Sequence, residues 1–411
     1  MIPKGYKHTE LGILPRHWEV VRLGDIGKII GGGTPDTKNL KYWTQKNGIV
    51  WLTPTEIKTK YIMKSERQIT EKGLEESSAK KLPIHTILIT TRATIGDIGI
   101  AKVDCTTNQG FQSLVCSNSL NYEFAYYVLQ TYQIKKYFIR FACGSTFLEL
   151  SSREVRKTKI PLPPLAEQEK IAEILSTWDT QIQNLCSLIK DKQTLKKGLC
   201  QILLTAKTRF KGFDKDWEVV RLGDIFSILK GIGLTKDDIV PNGKLKCILY
   251  GELYTTYDEV IYKVISQTNL KLGTLSKKGD ILVPASTTTS AIDIAIATSL
   301  EEEGILLGGD INIFRPKIRN ICSAFIARLL REVYRNKIAS FAQGTTIIHL
   351  YASNIQKIPI KLPLLTEQKK IAEVLSEADN EIKLLEQKLE SLKSQKRGLM
   401  QKLLNGKVRV K

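Results

Sequence analysis

The chain repeats itself with a period of about 200 residues, and this repetition constrains the fold more than any other feature. The nine residues WEVVRLGDI occur at 18–26 and again, unchanged, at 217–225. Positions 162–210 and 362–410 are identical at 22 of 49 places. A period of this length is far longer than the roughly 20 to 50 residues of a solenoid unit. The chain is therefore predicted to contain one whole module twice.

The similarity between the two halves is confined to certain blocks. The segment 141–150 returns at 341–350, and 162–176 returns at 362–376, whereas the stretches 27–140 and 226–340 have little in common. Shared blocks are expected to do the same structural work twice, and divergent stretches to bind different targets. The sequence thus predicts a first variable domain at 1–160, a shared helix at 161–208, a second variable domain at 209–360 and a second shared helix at 361–411.

Each shared block has the signals of a long helix. Prolines at 161, 163 and 164, and at 359 and 363, precede the predicted starts, as is usual just outside a helix. Glu167 and Glu367 suit the positive end of a helix dipole, and Thr366 is a predicted N-cap. About 40 residues at 1.5 Å each would give a helix of roughly 60 Å.

The apolar positions of both predicted helices step by three and four residues, the 3.5-residue period of a coiled coil. Lys196 and Lys396 interrupt this stripe at equivalent places, and a lysine there can specify the register of pairing. The predicted inward positions are Ile171, Leu175, Trp178, Ile182, Leu185, Ile189, Lys192, Lys196, Leu199 and Leu203, and Ile371, Leu375, Ala378, Ile382, Leu385, Leu389, Leu392, Lys396, Leu399 and Leu403.

The duplication favours a pseudo-two-fold arrangement in which the two helices pack antiparallel, with a globular domain near each end. The helices would then act as a ruler between two heads. The alternative is that each helix is amphipathic and lies on its own globular core, without a mutual seam.

The net charge of +20 is concentrated outside the predicted helices. Residues 165–207 have six Lys/Arg against five Asp/Glu, and residues 365–407 have nine against seven, so the helices account for only +3. Basic heads on a nearly neutral ruler suit a protein that spans DNA, because cations that neutralise phosphates release counterions. A general solubilising charge is the alternative interpretation.

Both variable domains are predicted to be α+β. Short β-rich runs occur at 84–91, 96–103 and 111–117, and again at 279–286, 292–298 and 311–316. A helical stretch follows each set, at 122–142 and 322–342. The same order in diverged sequence predicts one fold used twice.

No motif for catalysis or metal binding is found. The glycine-rich segment 27–34 lacks the lysine of a phosphate-binding loop, and the Asn-Pro-Pro-Tyr run of amino-methyltransferases is absent. Seven cysteines contain no C-x-x-C pair, and four histidines are scattered singly, so disulfides and metal sites are not expected. The chain has neither a signal-peptide pattern nor a 20-residue apolar run, which predicts a cytoplasmic protein without a membrane span.

The variable domains do contain residues suited to reading DNA. Arginine and lysine recognise guanine and phosphate, asparagine and glutamine recognise adenine, and Ser/Thr reach either base. STTTS at 286–290 takes the place in the second domain that TTRAT at 90–94 takes in the first. The candidate DNA-binding residues are Lys38, Lys41, Tyr42, Thr91, Arg92, Gln109 and Gln112 in the first domain, and Lys230, Lys236, Lys244, Lys246, Thr287, Thr288 and Thr289 in the second.

The chain resembles the specificity subunits of type I restriction–modification enzymes. The opening YKHTELGILPRHWEVVRLGDI (6–26), GGGTP (31–35), TIGDIGIA (94–101), the GST and GTT segments before each helix, and PLPPLAEQEKIAEIL (161–175) all resemble that family. The second domain has GIGLTK (231–236) where the first has its glycine-rich run. The resemblance covers essentially the whole chain, including the order of its parts.

The resemblance implies a non-catalytic subunit of a prokaryotic, cytoplasmic complex. Each variable domain would read half of a bipartite site in double-stranded DNA, and the helices would fix the spacer. Two methyltransferase subunits that bind S-adenosylmethionine, and two motor–nuclease subunits that use ATP and magnesium, would join it. This chain would itself bind no cofactor or metal. Two other hypotheses are an interaction scaffold without salt-dependent DNA affinity, and a self-contained methyltransferase that binds S-adenosylmethionine.

Overall fold

The computed structural model describes residues 2–144 and 148–410, which form two compact units. Unit 1 comprises residues 1–186 and 388–411, and unit 2 comprises residues 187–387. Each unit therefore contains one variable domain and part of both long helices, which cuts across the predicted four-segment division. Ser145 and Thr146 of the GST segment lie outside the described residues.

The first repeat alternates short strands with short helices and ends in a long helix. Its strands are β1 (Tyr6–Thr9), β2 (Gly12–Pro15), β3 (Glu19–Arg22), β4 (Gly27–Gly31), β5 (Trp43–Thr44), β6 (Ile49–Leu52), β7 (Tyr61–Ile62), β8 (Arg67–Ile69), β9 (Ile87–Ile89), β10 (Ile98–Ala101), β11 (Cys105–Thr107), β12 (Gln112–Cys116) and β13 (Lys159–Leu162). Its helices are α1 (Glu71–Glu75), α2 (Tyr122–Leu129), α3 (Tyr132–Phe141), α4 (Ser152–Lys157) and α5 (Leu165–Leu203).

The second repeat has the same plan. Its strands are β14 (Glu218–Arg221), β15 (Phe226–Lys230), β16 (Leu245–Ile248), β17 (Val260–Ile261), β18 (Gln267–Thr268), β19 (Thr274–Leu275), β20 (Asp280–Pro284), β21 (Ser286–Thr287), β22 (Thr298–Leu300), β23 (Leu306–Leu307), β24 (Ile311–Pro316), β25 (Ile348–His349) and β26 (Pro359–Leu362). Its helices are α6 (Leu222–Ile225), α7 (Glu252–Thr255), α8 (Ala291–Ile294), α9 (Ser323–Glu332), α10 (Arg335–Ala339), α11 (Ala352–Ile355) and α12 (Leu365–Leu404).

Equivalent sheets occur in the two units. A five-stranded sheet has the order β4-β12-β9-β10-β7 in unit 1 and β15-β24-β20-β22-β17 in unit 2. A four-stranded sheet has the order β11-β6-β8-β5 in unit 1 and β18-β16-β23-β19 in unit 2. Each variable domain is thus α+β, and the prediction of one fold used twice is confirmed.

The duplicated WEVVRLGDI block has the same role in both units. Its strand, β3 or β14, pairs antiparallel with the strand that leads into the long helix, β13 or β26. The glutamine of each EQ-x-K segment fixes the start of that helix: Gln168 Nε2 donates to the carbonyl of Pro163, and Gln368 Nε2 to that of Pro363, at 2.9 and 2.8 Å. These shared contacts explain why the blocks are alike.

The long helices begin and end close to their predicted bounds, with 39 residues in α5 and 40 in α12. The predicted N-cap Thr366 is wrong, because α12 already begins at Leu365 and Gln368 N donates to the carbonyl of Leu364. The two helices run antiparallel within each unit. In unit 1, Asp179 of α5 faces Lys396 of α12, and Glu167 near the start of α5 faces Arg409, five residues beyond the end of α12. Rising numbers in α5 therefore meet falling numbers along the other segment. In unit 2, Lys192 faces Glu381 and Arg209 faces Glu367, in the same sense.

The predicted inward positions of both helices are buried or half-buried without exception. Ile171, Leu175 and Leu403 belong to the main apolar core of unit 1. Leu203, Ile371 and Leu375 belong to the main core of unit 2. Trp178, Ile182, Leu385 and Leu389 are half-buried, as the narrow stripe of a paired helix requires.

Three shorter predictions need correction. The run 292–298 is not a strand, because Ser290 accepts a hydrogen bond from Asp293 N and starts helix α8, and β22 begins only at Thr298. The helical stretch 122–142 is two helices, since Thr131 has extended backbone and separates α2 from α3. The stretch 322–342 is likewise divided into α9 and α10.

Candidate nucleic-acid interface

In unit 1, three polar turns meet where strands of the five-stranded sheet begin or end. Antiparallel pairing places Gly31, the last residue of β4, opposite Gln112, the first of β12, and Thr90 after β9 pairs with Phe111. Thr91 N donates to the carbonyl of Gly110 at 2.7 Å. We call residues 31–34, 90–97 and 108–112 the strand-end edge of unit 1.

The glycine-rich run at this edge is closely packed. A Cβ on Gly32 would lie 2.0 Å from the Asn108 carbonyl oxygen, and one on Gly33 would lie 2.3 Å from Ser78 Oγ. Beyond these glycines, Thr34 Oγ1 donates to Gln109 Oε1 at 2.5 Å. The sequence therefore needs glycine here so that the run can approach its neighbours closely.

Among the predicted residues of unit 1, Lys38, Lys41 and Gln109 are exposed, and Gln112 is half-buried beside Gly31. They follow or line the strand-end edge and can contact a ligand in solution. Lys38 and Lys41 lie in the segment between Gly33 and β5, so they extend the edge with positive charge.

The other three predicted residues of unit 1 are already engaged. Thr91 is fully buried, so its side chain is not available to contact DNA at this surface. The polar residues around it in the sequence had suggested an exposed turn. Arg92 Nη2 donates to Glu149 Oε2 at 2.7 Å, and Tyr42 Oη donates to Glu76 Oε2 at 2.7 Å. The bond to Glu76 is the largest influence raising the pKa of Tyr42.

Unit 2 has an equivalent edge with different side chains. Lys230 ends β15 opposite Asn312, and Ala285 N donates to the Asp310 carbonyl at 2.7 Å, as Thr91 does to Gly110 in unit 1. STTTS therefore lies in the same turn as TTRAT, but two residues later than predicted, since Ser286 takes the place of Arg92. We call residues 230–234, 285–290 and 308–312 the strand-end edge of unit 2.

The predicted residues of unit 2 fall into two groups. Lys230, Thr288 and Thr289 are exposed at the strand-end edge. Thr287 is buried, with 7% of its surface exposed, because β21 pairs with β25; it is withdrawn as a DNA contact.

The remaining three lysines lie around the four-stranded sheet. Lys236 is exposed in a short 3-10 helix, Lys236–Asp238, and Lys244 is exposed just before β16. Lys246 forms an ion pair with Glu302 at 2.8 Å, so its charge is already matched within the chain.

One arginine at the interface was missed by the sequence analysis. Arg67, on β8, lies opposite Trp51 of β6, and its guanidinium carbon is 3.6 Å from the ring centre of Trp43. The two tryptophans are themselves anchored to the glycine-rich run and the residues just after it. Trp51 Nε1 donates to the Gly33 carbonyl and Trp43 Nε1 to the Asp36 carbonyl, both at 3.0 Å. Spacing alone gives no signal for this contact.

A second missed feature is a polar cluster where the variable domain meets the long helices of unit 1. Tyr127 of α2 donates its hydroxyl proton to Asp179 of α5, and Lys396 of α12 pairs with the same carboxylate. Lys60 lies 2.6 Å from Glu123 and donates to the Tyr127 hydroxyl at 2.7 Å. Burial, and then the bond to Asp179, raise the pKa of Tyr127, so the phenol remains a donor.

Unit 2 has a cluster at the same place. Lys196 of α5 contacts Asp379 of α12 at 2.5 Å and Glu259 at 3.0 Å. Arg328 of α9 is 2% exposed and lies 2.7 Å from Asp379, so this cation is interior. Burial alone raises the pKa of Glu259, but the cations Lys196, Arg331 and Arg328 outweigh it and lower that pKa below its usual value.

The ends of the long helices also carry matched ion pairs. Arg409 Nε donates to Glu167 Oε1 at 2.7 Å, and Trp18 Nε1 donates to Glu167 Oε2 at 3.0 Å. Burial, the largest influence, raises the pKa of Glu167, but the bonds from Arg409 and Trp18 outweigh it and lower the pKa. Arg209 makes the equivalent bidentate pair with Glu367 at 3.0 and 2.8 Å.

No candidate metal centre is found within residues 2–144 and 148–410. No group of three or more His, Cys, Asp or Glu side chains in this part of the chain could hold a metal ion. The seven cysteines are free, and burial raises the pKa of Cys105 and Cys116 to about 12. No described helix combines the length and hydrophobicity that a bilayer crossing requires.

Comparison with solved structures supports this architecture. The S subunit of a type I restriction–modification system from M. genitalium superposes with a TM-score of 0.60 over 94% of this chain and 96% of that one, at 17% identity. The HsdS subunit from Thermoanaerobacter tengcongensis gives a TM-score of 0.52 over 96% of this chain and 98% of its own, at 18% identity. At these identities the match establishes the fold.

Comparison of sequences identifies the family. The specificity subunit of the type I restriction enzyme MjaIX of Methanocaldococcus jannaschii is 29% identical over 434 aligned positions, which cover 98% of this chain and 96% of that protein. The family model for the type I restriction modification DNA specificity domain matches residues 15–191 and 214–394. These two matches fall on the two repeats and leave little of either outside. The chain therefore belongs to the family of type I restriction–modification specificity subunits, with one DNA specificity domain in each repeat.

Proposed function

We propose that this chain selects the DNA target of a type I restriction–modification complex, with one recognition surface on each repeat. The observation that carries this proposal is the paired strand-end edges, which have the same backbone construction and different side chains. Gly31 of unit 1 is replaced at the equivalent position by the exposed Lys230 of unit 2, and the exposed Gln109 of unit 1 by Gly309. Two edges of this kind suit the recognition of two different half-sites.

Exposed lysines beside each edge suit contacts to the phosphate backbone. Lys38 and Lys41 would orient the first surface on the duplex, and Lys230, Lys236 and Lys244 the second. Such contacts position a protein without reading sequence, and the polar side chains at the edge would then contact the bases. The net charge of +20 supports a salt-dependent affinity for DNA.

The two long helices would fix the spacer between the half-sites. Each is continuous and about 60 Å long at 1.5 Å per residue, and each contributes to both units. The ion pairs that join the helices within each unit fix their register. Linking two recognition surfaces in this way makes the second binding event intramolecular when the spacing is right.

The enzymatic activities would belong to partner subunits that assemble on this chain in the cytoplasm of a prokaryotic cell. Two methyltransferase subunits would dock on the long helices and their surroundings and bind S-adenosylmethionine. Two motor–nuclease subunits would bind ATP and magnesium. The chain itself would then need neither cofactor nor metal and would serve only to bind DNA and its partners.

Shortening both helices tests the ruler directly. Deleting 187–190 and 387–390 together removes about 6 Å from each helix at equivalent positions, so the ion pairs on either side can still form. We expect the complex purified through this chain to select, from a randomised duplex pool, the same two half-sites with a spacer shorter by one or two base pairs.

The control is Gln183→Ala, an exposed change of α5 that leaves its length unaltered and should leave the spacer unaltered too. A change in the half-site sequences, instead of the spacer, would contradict the ruler. Absence of any salt-dependent DNA selection by the unaltered complex would contradict the function itself and favour a scaffold.

A further inference from the structure

Arg67 differs from the other cationic candidates of unit 1 in how it is held. Arg92 is paired with Glu149, whereas the guanidinium of Arg67 is held by stacking on Trp43 and, at 5.5 Å, by Trp51. Among the residues that the structure describes, no carboxylate lies within 4.0 Å of its nitrogens and none of its side-chain N–H groups is hydrogen-bonded within the chain. Its five donors are therefore free for a ligand.

The platform under Arg67 is rigid. The rings of Trp43 and Trp51 pack edge to face with centres 5.0 Å apart, and Trp51 is 4% exposed. Both indole N–H groups are tied to the run 33–36, which continues into the strand-end edge through Thr34 and Gln109. Arg67 itself is exposed on this platform. The plane of its guanidinium is thus fixed beside the edge before any ligand arrives.

A fixed plane matters for one kind of partner more than another. A phosphate can be neutralised by any nearby cation, and the exposed Lys38 and Lys41 can make such contacts. Two acceptors in one plane, such as O6 and N7 of guanine, need a guanidinium whose fork is already oriented. Orientation by stacking therefore favours base recognition.

We infer that Arg67 is a specificity-determining residue of the first variable domain and recognises a guanine in its half-site. This inference rests on the proposed function. Unit 2 has no equivalent arginine. Cys247 of β16 takes the place of Trp51, and the residue opposite it is Ser266, whose carbonyl accepts a hydrogen bond from Cys247 N at 2.9 Å. Recognition of guanine by a stacked arginine is thus assigned to one half-site only.

The test compares duplexes selected from a randomised pool by the purified complex with wild-type chain, Arg67→Ala and Arg67→Lys. Both variants should lose the guanine preference at one position of a single half-site, with the other half-site and the spacer unchanged. Affinity for the original site should fall roughly 10- to 100-fold, as expected for loss of a bidentate base contact. Arg67→Lys keeps the positive charge but lacks the planar pair of N–H donors. It therefore distinguishes loss of the bidentate contact from loss of charge or of folding.

Two controls separate the outcomes. Arg153→Lys, at an exposed arginine of α4, should leave the selected sequence unaltered. Trp43→Leu removes the platform and should weaken the same guanine preference without affecting the second half-site. An unchanged consensus with Arg67→Ala would overturn the inference. A second result would also overturn it: Arg67→Ala lowers affinity equally for all sequences, reduces the slope of log affinity against log salt concentration by about one, and Arg67→Lys restores both. This is the behaviour of a phosphate contact. In both cases, selection of a bipartite consensus by the complex with the wild-type chain would still support the proposed function.

Discussion

The polar clusters of the two units occupy equivalent places but are built with opposite charges. Lys60 immediately precedes β7 in unit 1, and Glu259 immediately precedes β17 in unit 2; both carbonyls accept a hydrogen bond from the neighbouring strand. The sixth residue of the following helix is Tyr127 in α2 and Arg328 in α9. A cation and a neutral donor in one unit thus correspond to an anion and a cation in the other.

The residues from the long helices do not change. Asp179 pairs with Lys396 in unit 1, and Asp379 pairs with Lys196 in unit 2, so each carboxylate has the same helix partner. A shared pair on the helices therefore accepts two different sets of partners from the variable domains. The comparison teaches that a variable domain can diverge at this junction provided that its charges balance the unchanging aspartate and lysine.

Removing the aspartate should have the largest effect and should differ between units. Asp379→Ala removes the carboxylate that lies 2.7 Å from the buried Arg328 and leaves only Glu259 at 3.8 Å, and loss of one partner of a buried pair costs about 3–5 kcal/mol. Asp179→Ala should cost only about 1–2 kcal/mol, because its partner Lys396 is 17% exposed and can be hydrated, and Tyr127 keeps its hydrogen bond from Lys60 at 2.7 Å. Hydrogen–deuterium exchange of peptides from each unit of the full-length chain measures both losses. Equal losses of stability from Asp179→Ala and Asp379→Ala would contradict the expected difference between the two clusters.

The matched control for this comparison is a pair of exposed glutamates six residues earlier in each helix, Glu173 and Glu373. Glu173→Ala and Glu373→Ala should each change stability by about 0.5 kcal/mol or less, since both side chains are solvated.

Reversing the charge of Lys60, the residue before β7, tests whether the two polar clusters are equivalent. Lys60→Glu places a third carboxylate beside Glu123 and Asp179 and should destabilise unit 1 by about 2–3 kcal/mol. Adding Tyr127→Arg recreates the arrangement of unit 2 and should recover roughly half of this loss. A double-mutant cycle by hydrogen exchange measures the recovery. If the free-energy effects of Lys60→Glu and Tyr127→Arg simply add, the two residues do not compensate each other and the clusters are not interchangeable.

The smallest expected effect is the acid dependence contributed by Glu259. Its pKa is lowered in the folded chain, so its charge stabilises unit 2 above the unfolded value of about 4.3, and this contribution is lost as the pH falls through the folded pKa. Glu259→Gln should therefore cost about 1–2 kcal/mol at pH 7, and the cost should decline as the pH falls below about 4. Urea unfolding of the full-length chain at a series of pH values measures this decline.

Asp258→Asn is the control for the acid titration, because Asp258 is exposed beside Glu259. It should change stability little at any pH. A cost of Glu259→Gln that stays constant down to pH 3 would show that the carboxylate is not charged in the folded chain.

The strand-end edges differ in a similar way. Unit 1 has a stacked arginine and a packed glycine-rich run, whereas unit 2 has exposed threonines and lysines. The scaffold that carries them is the same in both units, down to the hydrogen bonds of Thr91 and Ala285. The two units thus keep the same hydrogen-bonded framework while the side chains at the edges and at the helix junction differ.

Much of this architecture followed from the sequence alone. The duplicated WEVVRLGDI block predicted two equivalent modules, and the 3.5-residue stripe from Ile371 to Leu403 predicted the helix, its bounds and its buried face. These features depend on residues close together in the chain, where helix geometry fixes which side chains share a face. The exceptions, such as α8 in place of a strand, arose where a local cap at Ser290 prevailed over β propensity.

Which polar residues meet was decided only by the tertiary structure. Asp179 and Lys396 are 217 residues apart, and Arg67 stacks on Trp43 across a sheet, so no periodicity brings either pair together. The same holds for the predicted DNA contacts: Thr91 became interior, and Arg92 and Lys246 found carboxylates at Glu149 and Glu302. Local sequence determines which elements form and which face of each is apolar, whereas the ionic partner of a charged side chain depends on how distant elements pack.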